Sequence, residues 1–97
     1  MERGGCVYII TNKRKTTLYI GVTSDLFARM WEHKNNVYPK SFASRYNLHY
    51  LVFYEFFPTI EEAILQEKYL KGKKRDFKEK LINELNPDWR DMTEEVG

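Results

Sequence analysis

Val7-Tyr8-Ile9-Ile10-Thr11, then the polar run Asn12-Lys13-Arg14-Lys15-Thr16, then Thr17-Leu18-Tyr19-Ile20-Gly21-Val22 decide the fold. Two short β-branched and aromatic runs joined by a tight polar segment predict an antiparallel hairpin. The hairpin carries one tyrosine on each strand, and the turn brings Tyr8 and Tyr19 near one another across the ladder. Cys6 precedes the first run and is the chain's one cysteine. No internal disulfide and no Cys-based zinc site can form. Placed in an apolar run, Cys6 reads as a packing thiol.

Working outward, Thr23 or Ser24 is the expected N-cap of a first helix, with Asp25 in its first turn. Leu26, Phe27, Met30 and Trp31 recur at helical spacing, and the helix is expected to fade by Asn35-Asn36. Residues 37–47 read as a loop, and Leu48–Phe57 as the third strand. Thr59 and Glu62 form a capping box for a helix that stops at Gly72. A last helix over Arg75–Leu85 carries Phe77, Leu81, Ile82 and Leu85 and is ended by Asn86-Pro87. The expected fold is α+β: a small three-stranded antiparallel sheet flanked by helices, in the order β-β-α-β-α-α. One domain over residues 1–91 is expected, followed by an acidic, loose tail over 92–97.

Length and composition narrow the function classes. With 97 residues there is room for one domain and none for a barrel or a doubly wound nucleotide fold. A hydrophobic content of 42% argues against disorder. The stretch Met1-Glu2-Arg3-Gly4-Gly5 lacks the long apolar run of a signal peptide, and apolar runs of about five residues fall far short of the ~20 needed for a membrane span. The expected location is cytoplasmic, with no membrane partner. The net charge of +2 hides an uneven distribution. Residues 13–45 and 68–80 are each net +5, and the remainder is net −8. Lys71, Lys73, Lys74 and Arg75 cluster at a helix junction, where they are either a solvated C-terminal turn or a patch that tracks phosphates. Ser41–Tyr46 combines Phe42 and Tyr46 with Arg45. It either meets unpaired bases and backbone or simply packs.

Two helical stripes are broken by polar residues. Glu67 falls within about 10° of the centre of the apolar face made by Ile60, Ala63, Ile64 and Leu70. A carboxylate there either escapes to solvent, pairs with a Lys or Arg, or holds a metal. Arg29 and His33 share a face at i and i+4, on the shoulder of the Leu26/Met30 stripe. Two phenols, an Arg, a His and an inward Glu supply a cation for a phosphate, hydroxyls for a water and a carboxylate for a divalent ion. Those are the parts of metal-assisted phosphodiester hydrolysis.

The ordered set Val7-Tyr8-Ile9, Tyr19-Ile20-Gly21, Thr23-Ser24-Asp25-Leu26, Arg29, Glu67 and Asn86-Pro87-Asp88-Trp89 resembles the GIY-YIG nuclease domain over about residues 5–91. Within the family it looks like the small standalone bacterial type, similar to the nuclease half of the excision-repair endonuclease. The first triplet departs from the pattern, with Cys6 where the family carries Gly. The resemblance implies a divalent-metal-dependent endonuclease acting on DNA, structure-selective and linked to repair. A non-catalytic nucleic-acid-binding module on the same fold is the alternative, and RNA is a second candidate partner. Tyr8 and Tyr19 are then expected to position the attacking water, one of them as a phenolate base. Gly21 permits a close approach of backbone or substrate, Arg29 steadies the scissile phosphate, and His33 bonds the attacking or leaving group. Glu67 becomes the sole protein ligand of one Mg²⁺ or Mn²⁺, and Asn86 shapes the site. Lys71, Lys73, Lys74, Arg75 and Arg45 are the expected nucleic-acid contacts. A monomer is expected, with selectivity coming from DNA shape or from a separate protein.

Overall fold

The computed structural model describes residues 4–96. Strands β1 (Gly5–Thr11), β2 (Leu18–Thr23) and β3 (Tyr50–Phe57) form one antiparallel sheet in the order β2-β1-β3. Helices α1 (Leu26–Lys34), α2 (Phe42–Arg45), α3 (Ile60–Lys71) and α4 (Arg75–Leu85) surround it. The expected α+β class and β-β-α-β-α-α order hold, with α2 as one extra turn inside the segment expected to be a loop. Ser41 caps that turn by accepting from the Ser44 amide at 3.2 Å, and buried Ala43 anchors it.

β1 is central, and all seven of its residues are buried. Strand alternation sends Cys6, Tyr8 and Ile10 to one face and Val7 and Ile9 to the other. The first face meets Leu26, Met30, Ala43, Leu48, Leu51 and Met92. The second meets Ile20, Val52, Phe53, Ala63, Leu70 and Ile82. A register shift between Ile9 and Ile10 pairs Ile9 with Phe53 and Ile10 with Leu51. Such a bulge places two residues opposite one, so Val52 and Phe53 both join the second face. Each side chain buried this way contributes roughly 1.5–3 kcal/mol.

The first helix begins differently from expectation. Asp25 is itself the N-cap, extended at φ −147°, and its Oδ1 accepts from the Ala28 amide at 3.1 Å. Thr23 ends β2 and braces the cap, accepting from the Asp25 amide at 3.1 Å. Only Leu26 and Met30 of the expected α1 stripe are buried, while Phe27 and Trp31 are more than half exposed. Two buried residues four apart seat the nine residues of the helix, and the wider stripe turns toward solvent. On α4 the same narrowing leaves Ile82 buried, with Phe77 and Leu85 exposed.

The packed chain continues past the expected boundary at 91. Asp91 Oδ1 accepts from the Leu51 amide at 3.1 Å, and the Met92 amide donates to the Leu51 carbonyl at 2.8 Å. This segment lines the outer edge of β3, which would otherwise present open backbone groups. Met92 is buried, and Thr93–Val96 close as a single 3₁₀ turn, with Val96 against the first core face. Gly97, the last residue of the expected tail, lies outside the described residues. No helix among the described residues is long and apolar enough to cross a membrane.

Candidate active site

Tyr8 on β1 is the hub of the polar residues. Its ring is wholly buried, yet its hydroxyl meets two side chains of α1. His33 Nε2 lies 2.9 Å from Tyr8 Oη, and Arg29 donates to the same oxygen at 3.4 Å. The i, i+4 spacing puts Arg29 and His33 on one face, as the sequence indicates, and the fold turns that face to one atom. Arg29 is further held by Glu32, with Nε to Oε1 at 3.2 Å, a partner the sequence reading did not anticipate although it lies three residues on.

The donor and acceptor inventory constrains the polarity of this cluster. Arg29 can only donate, so Tyr8 Oη accepts from it, and in the His33 tautomer protonated at Nδ1 the phenol donates to Nε2. That requires neutral imidazole. Burial, with the nearby Arg29 charge second, holds His33 below its ordinary value and favours that form. Burial also pushes the Tyr8 phenol up to about 12, against the pull of Arg29. Tyr8 is therefore a protonated phenol at neutral pH, which counts against its acting as a standing phenolate.

Gly21 faces Tyr8 directly in the β1–β2 register. A Cβ there would sit 2.3 Å from Tyr8 Cζ and 2.4 Å from Oη. The space at Gly21, expected to admit backbone or substrate, is taken by the Tyr8 ring, which lies across the glycine. Cys6 occupies the same core face, and burial pushes its thiol up to about 12, in keeping with a packing role.

Tyr19, on the edge strand β2, meets the edge of the His33 ring at 6.5 Å between centroids. Lys71 Nζ lies 5.6 Å from the Tyr19 ring centroid and 2.9 Å from Glu67 Oε2. Glu67 is only 13% exposed, so it does sit on the inward side of α3, paired with a lysine. The contacts run without a break from Glu67 through Lys71, Tyr19 and His33 to Tyr8 and Arg29. Two sheet faces thereby contribute to one site, with α3 reaching it past the β2 edge.

Other sequence candidates lie elsewhere. Asn86 is buried at the end of α4, where its Nδ2 donates to the Val52 carbonyl at 3.3 Å and to the Arg90 carbonyl at 2.8 Å. Val52 is the residue without a partner in the β1–β3 register, so Asn86 satisfies the bulge. Arg75 donates to the carbonyls of Lys15 and Thr16, each at 2.7 Å, and to Glu79 Oε2 at 2.6 Å. Its guanidinium clamps the hairpin turn, where Lys15 adopts a left-handed φ of 61°. Lys73 lies over the Tyr69 ring at 4.6 Å. Lys74 and Arg45 are exposed.

The sequence profile of the GIY-YIG catalytic domain matches residues 4–81. This chain belongs to the GIY-YIG family. The match includes both strands of the hairpin, all of α1 and all of α3, and so every residue of the contact path just described. Because GIY-YIG domains are nuclease domains, the Tyr8 cluster sits in a nuclease fold. No curated protein and no solved structure matches the chain.

Asp91 is a polar centre of this GIY-YIG chain that the sequence reading missed. Its carboxylate accepts from Lys34, from the Leu51 and Thr93 amides and from the Thr93 hydroxyl. Burial alone would raise its carboxyl, but these donors outweigh that and hold it below the usual range. It bolts the end of α1 to the edge of β3 and so steadies the helix that carries Arg29 and His33.

Proposed function

We propose that this protein is a divalent-metal-dependent endonuclease that hydrolyses DNA phosphodiester bonds. The observation that carries the reading is the convergence of Arg29 and neutral His33 on the Tyr8 hydroxyl, inside a nuclease fold. Arg29 keeps its charge and is partly exposed, which suits it to a phosphate and to the charge that builds there. Its bond to Tyr8 Oη is the long one of the pair. Exchanging it for a phosphate oxygen frees a lone pair on Tyr8 for the attacking water. That water gives its proton to Tyr8 Oη as Tyr8 gives its own to His33 Nε2. No free phenolate is needed in this step, in keeping with a phenol pushed up to about 12. Tyr19 borders the same space.

Glu67 fits a hard divalent cation. It offers carboxylate oxygens at a largely enclosed position, opposed by a flexible ammonium that can turn outward. Among the described residues no group of three or more His, Cys, Asp or Glu assembles a cage. A single carboxylate nonetheless suits Mg²⁺ or Mn²⁺, which take their other ligands from water and phosphate. When bound, the ion supplies Lewis-acid polarisation of the phosphate.

The test is a cleavage screen with Mg²⁺ and with Mn²⁺ over duplex, branched and flapped DNA and RNA. It includes the structure-selective, repair-type substrates that form part of this proposal. Arg29→Ala and Glu67→Ala are each expected to slow nicking by at least about 10²-fold with the circular dichroism unchanged. The wild-type rate is expected to fall as pH drops through the lowered His33 value, because the imidazole must be neutral to accept the proton. His33→Ala should remove that acid limb along with most of the rate. Equal cutting by wild type and Glu67→Ala would rule out the metal assignment. Salt-sensitive DNA binding with no cleavage and no Mg²⁺ binding would identify a non-catalytic binding module.

A further inference from the structure

One aromatic series leaves the site and ends in solvent. Tyr19 touches His33 at its edge and stacks on Phe42 at 6.0 Å and 29°. Phe42 in turn meets Tyr46 at 4.6 Å. Phe42 and Tyr46 are four apart, which places them on one side of α2. That turn is held firmly. Ser41 caps it, Ala43 and Leu48 are buried beneath it, and the Leu48 amide donates to the Ala43 carbonyl at 2.8 Å. The core side of α2 is thus filled by small and aliphatic residues, and the two rings are displayed outward, each nearly half exposed.

The segment that carries the rings has charge of one sign. No acidic residue occurs between Glu32 and Glu55, whereas Lys34, Lys40 and Arg45 do. Lys40 and Arg45 are exposed. Half-exposed rings beside cations, continuous with the proposed phosphodiester site, match the chemistry of a single strand. Bases stack on aromatic side chains, and the backbone follows positive charge. A continuous duplex keeps its base faces covered and offers nothing to these rings.

We propose that Phe42 and Tyr46 form a stacking platform for an unpaired base next to the scissile phosphate, so that the preferred substrate is DNA with a single-stranded arm at a duplex junction. This rests on the nuclease reading for the position of the scissile phosphate, and it adds the recognition element. Arg45 holds the backbone of the arm, and the base lies against the half-exposed rings.

The test is binding by the full chain in EDTA, where no cutting occurs. Three probes are used: a blunt duplex, the same duplex with a thymidine arm, and the armed duplex with 2-aminopurine at the first unpaired position. Wild type is expected to bind the armed duplex about tenfold more tightly than the blunt one, within the range for stacking one base, and to quench the 2-aminopurine. Phe42→Leu keeps apolar volume without a ring and should bring the preference to about one and abolish the quench. Phe42→Trp should retain both. Thermal unfolding of each variant verifies the fold. Equal binding of armed and blunt probes by wild type, or an unchanged preference in Phe42→Leu, overturns the platform, as does failure to bind any probe. Parallel cleavage with Mg²⁺ separates the two readings. Arm preference lost in Phe42→Leu without any cleavage sustains the platform and removes the nuclease. Cleavage with no arm preference does the reverse.

Discussion

The two faces of the sheet share the strand β1 but handle it differently. Val7 and Ile9 enter a face closed by α3 and α4, where they pack among Ile20, Val52, Phe53, Ala63, Leu70 and Ile82. Cys6, Tyr8 and Ile10 enter a face closed by α1, α2 and the end of the chain, where a phenol is buried among Leu26, Met30, Leu48 and Leu51. On that face the hydroxyl is tolerated because Arg29 and His33 reach it. Among the described residues, no buried side-chain polar atom lacks a partner. One face is a hydrophobic cluster, and the other holds a buried phenol in place between Arg29 and His33.

Ile82→Ala on the apolar face should produce the largest loss of stability, about 2–5 kcal/mol by urea unfolding. Nicking well below the melting temperature should be unchanged. A parallel fall in nicking would show that the two faces do not separate. Gly21→Ala on the other face reverses the pattern. Its new Cβ would overlap Tyr8, for about 1–3 kcal/mol of lost stability, while nicking should vanish as the ring leaves Arg29 and His33. Tyr8→Phe is milder still in stability, about 1 kcal/mol, because the ring remains and only its hydrogen bonds go. Its nicking rate should nevertheless fall as far as that of Arg29→Ala.

The smallest effect is expected for Asp91→Asn, about 1 kcal/mol or less at neutral pH, since the carboxylate is partly screened by solvent. Its signature is the pH dependence. The folded Asp91 carboxyl lies below its ordinary value of 3.8. Its stabilisation is therefore complete above that value and is lost as pH falls through the lower folded one. Asp91→Asn should flatten this acid limb in unfolding measured as a function of pH. An unchanged limb would remove Asp91 as the bolt between α1 and β3.

What could be read in the sequence follows from the range of each interaction. Tyr8, Arg29 and His33 were legible because strand alternation and the i, i+4 rule act within a few residues. Glu67 was legible as a carboxylate inside an apolar stripe, and the pairing with Lys71 was among the open readings. Asp91 was not legible, because its partners Leu51 and Lys34 lie 40 and 57 residues away. Arg75 looked like one more cation of a basic run. Its binding of the Lys15 and Thr16 carbonyls depends on how α4 docks on the hairpin. The α1 stripe was read too wide, since periodicity shows which residues share a face but not how much of that face is covered. Gly21 was read as a place of close approach, but the neighbour that approaches is revealed only by the strand register.

The strand order β2-β1-β3 also has a consequence for how the chain acquires its shape. The central strand is the first in sequence, and it gains β2 through a short turn, a local event on the scale of microseconds. Its other partner, β3, begins only at Tyr50. The slower step is then closure of the long segment that carries α1 and α2. As the chain emerges from a ribosome, the hairpin must wait with one apolar edge unpaired until β3 is made. Tyr8 and Arg29 can meet early, but the floor beneath them is completed late. That interval is when this protein is most exposed to misassociation.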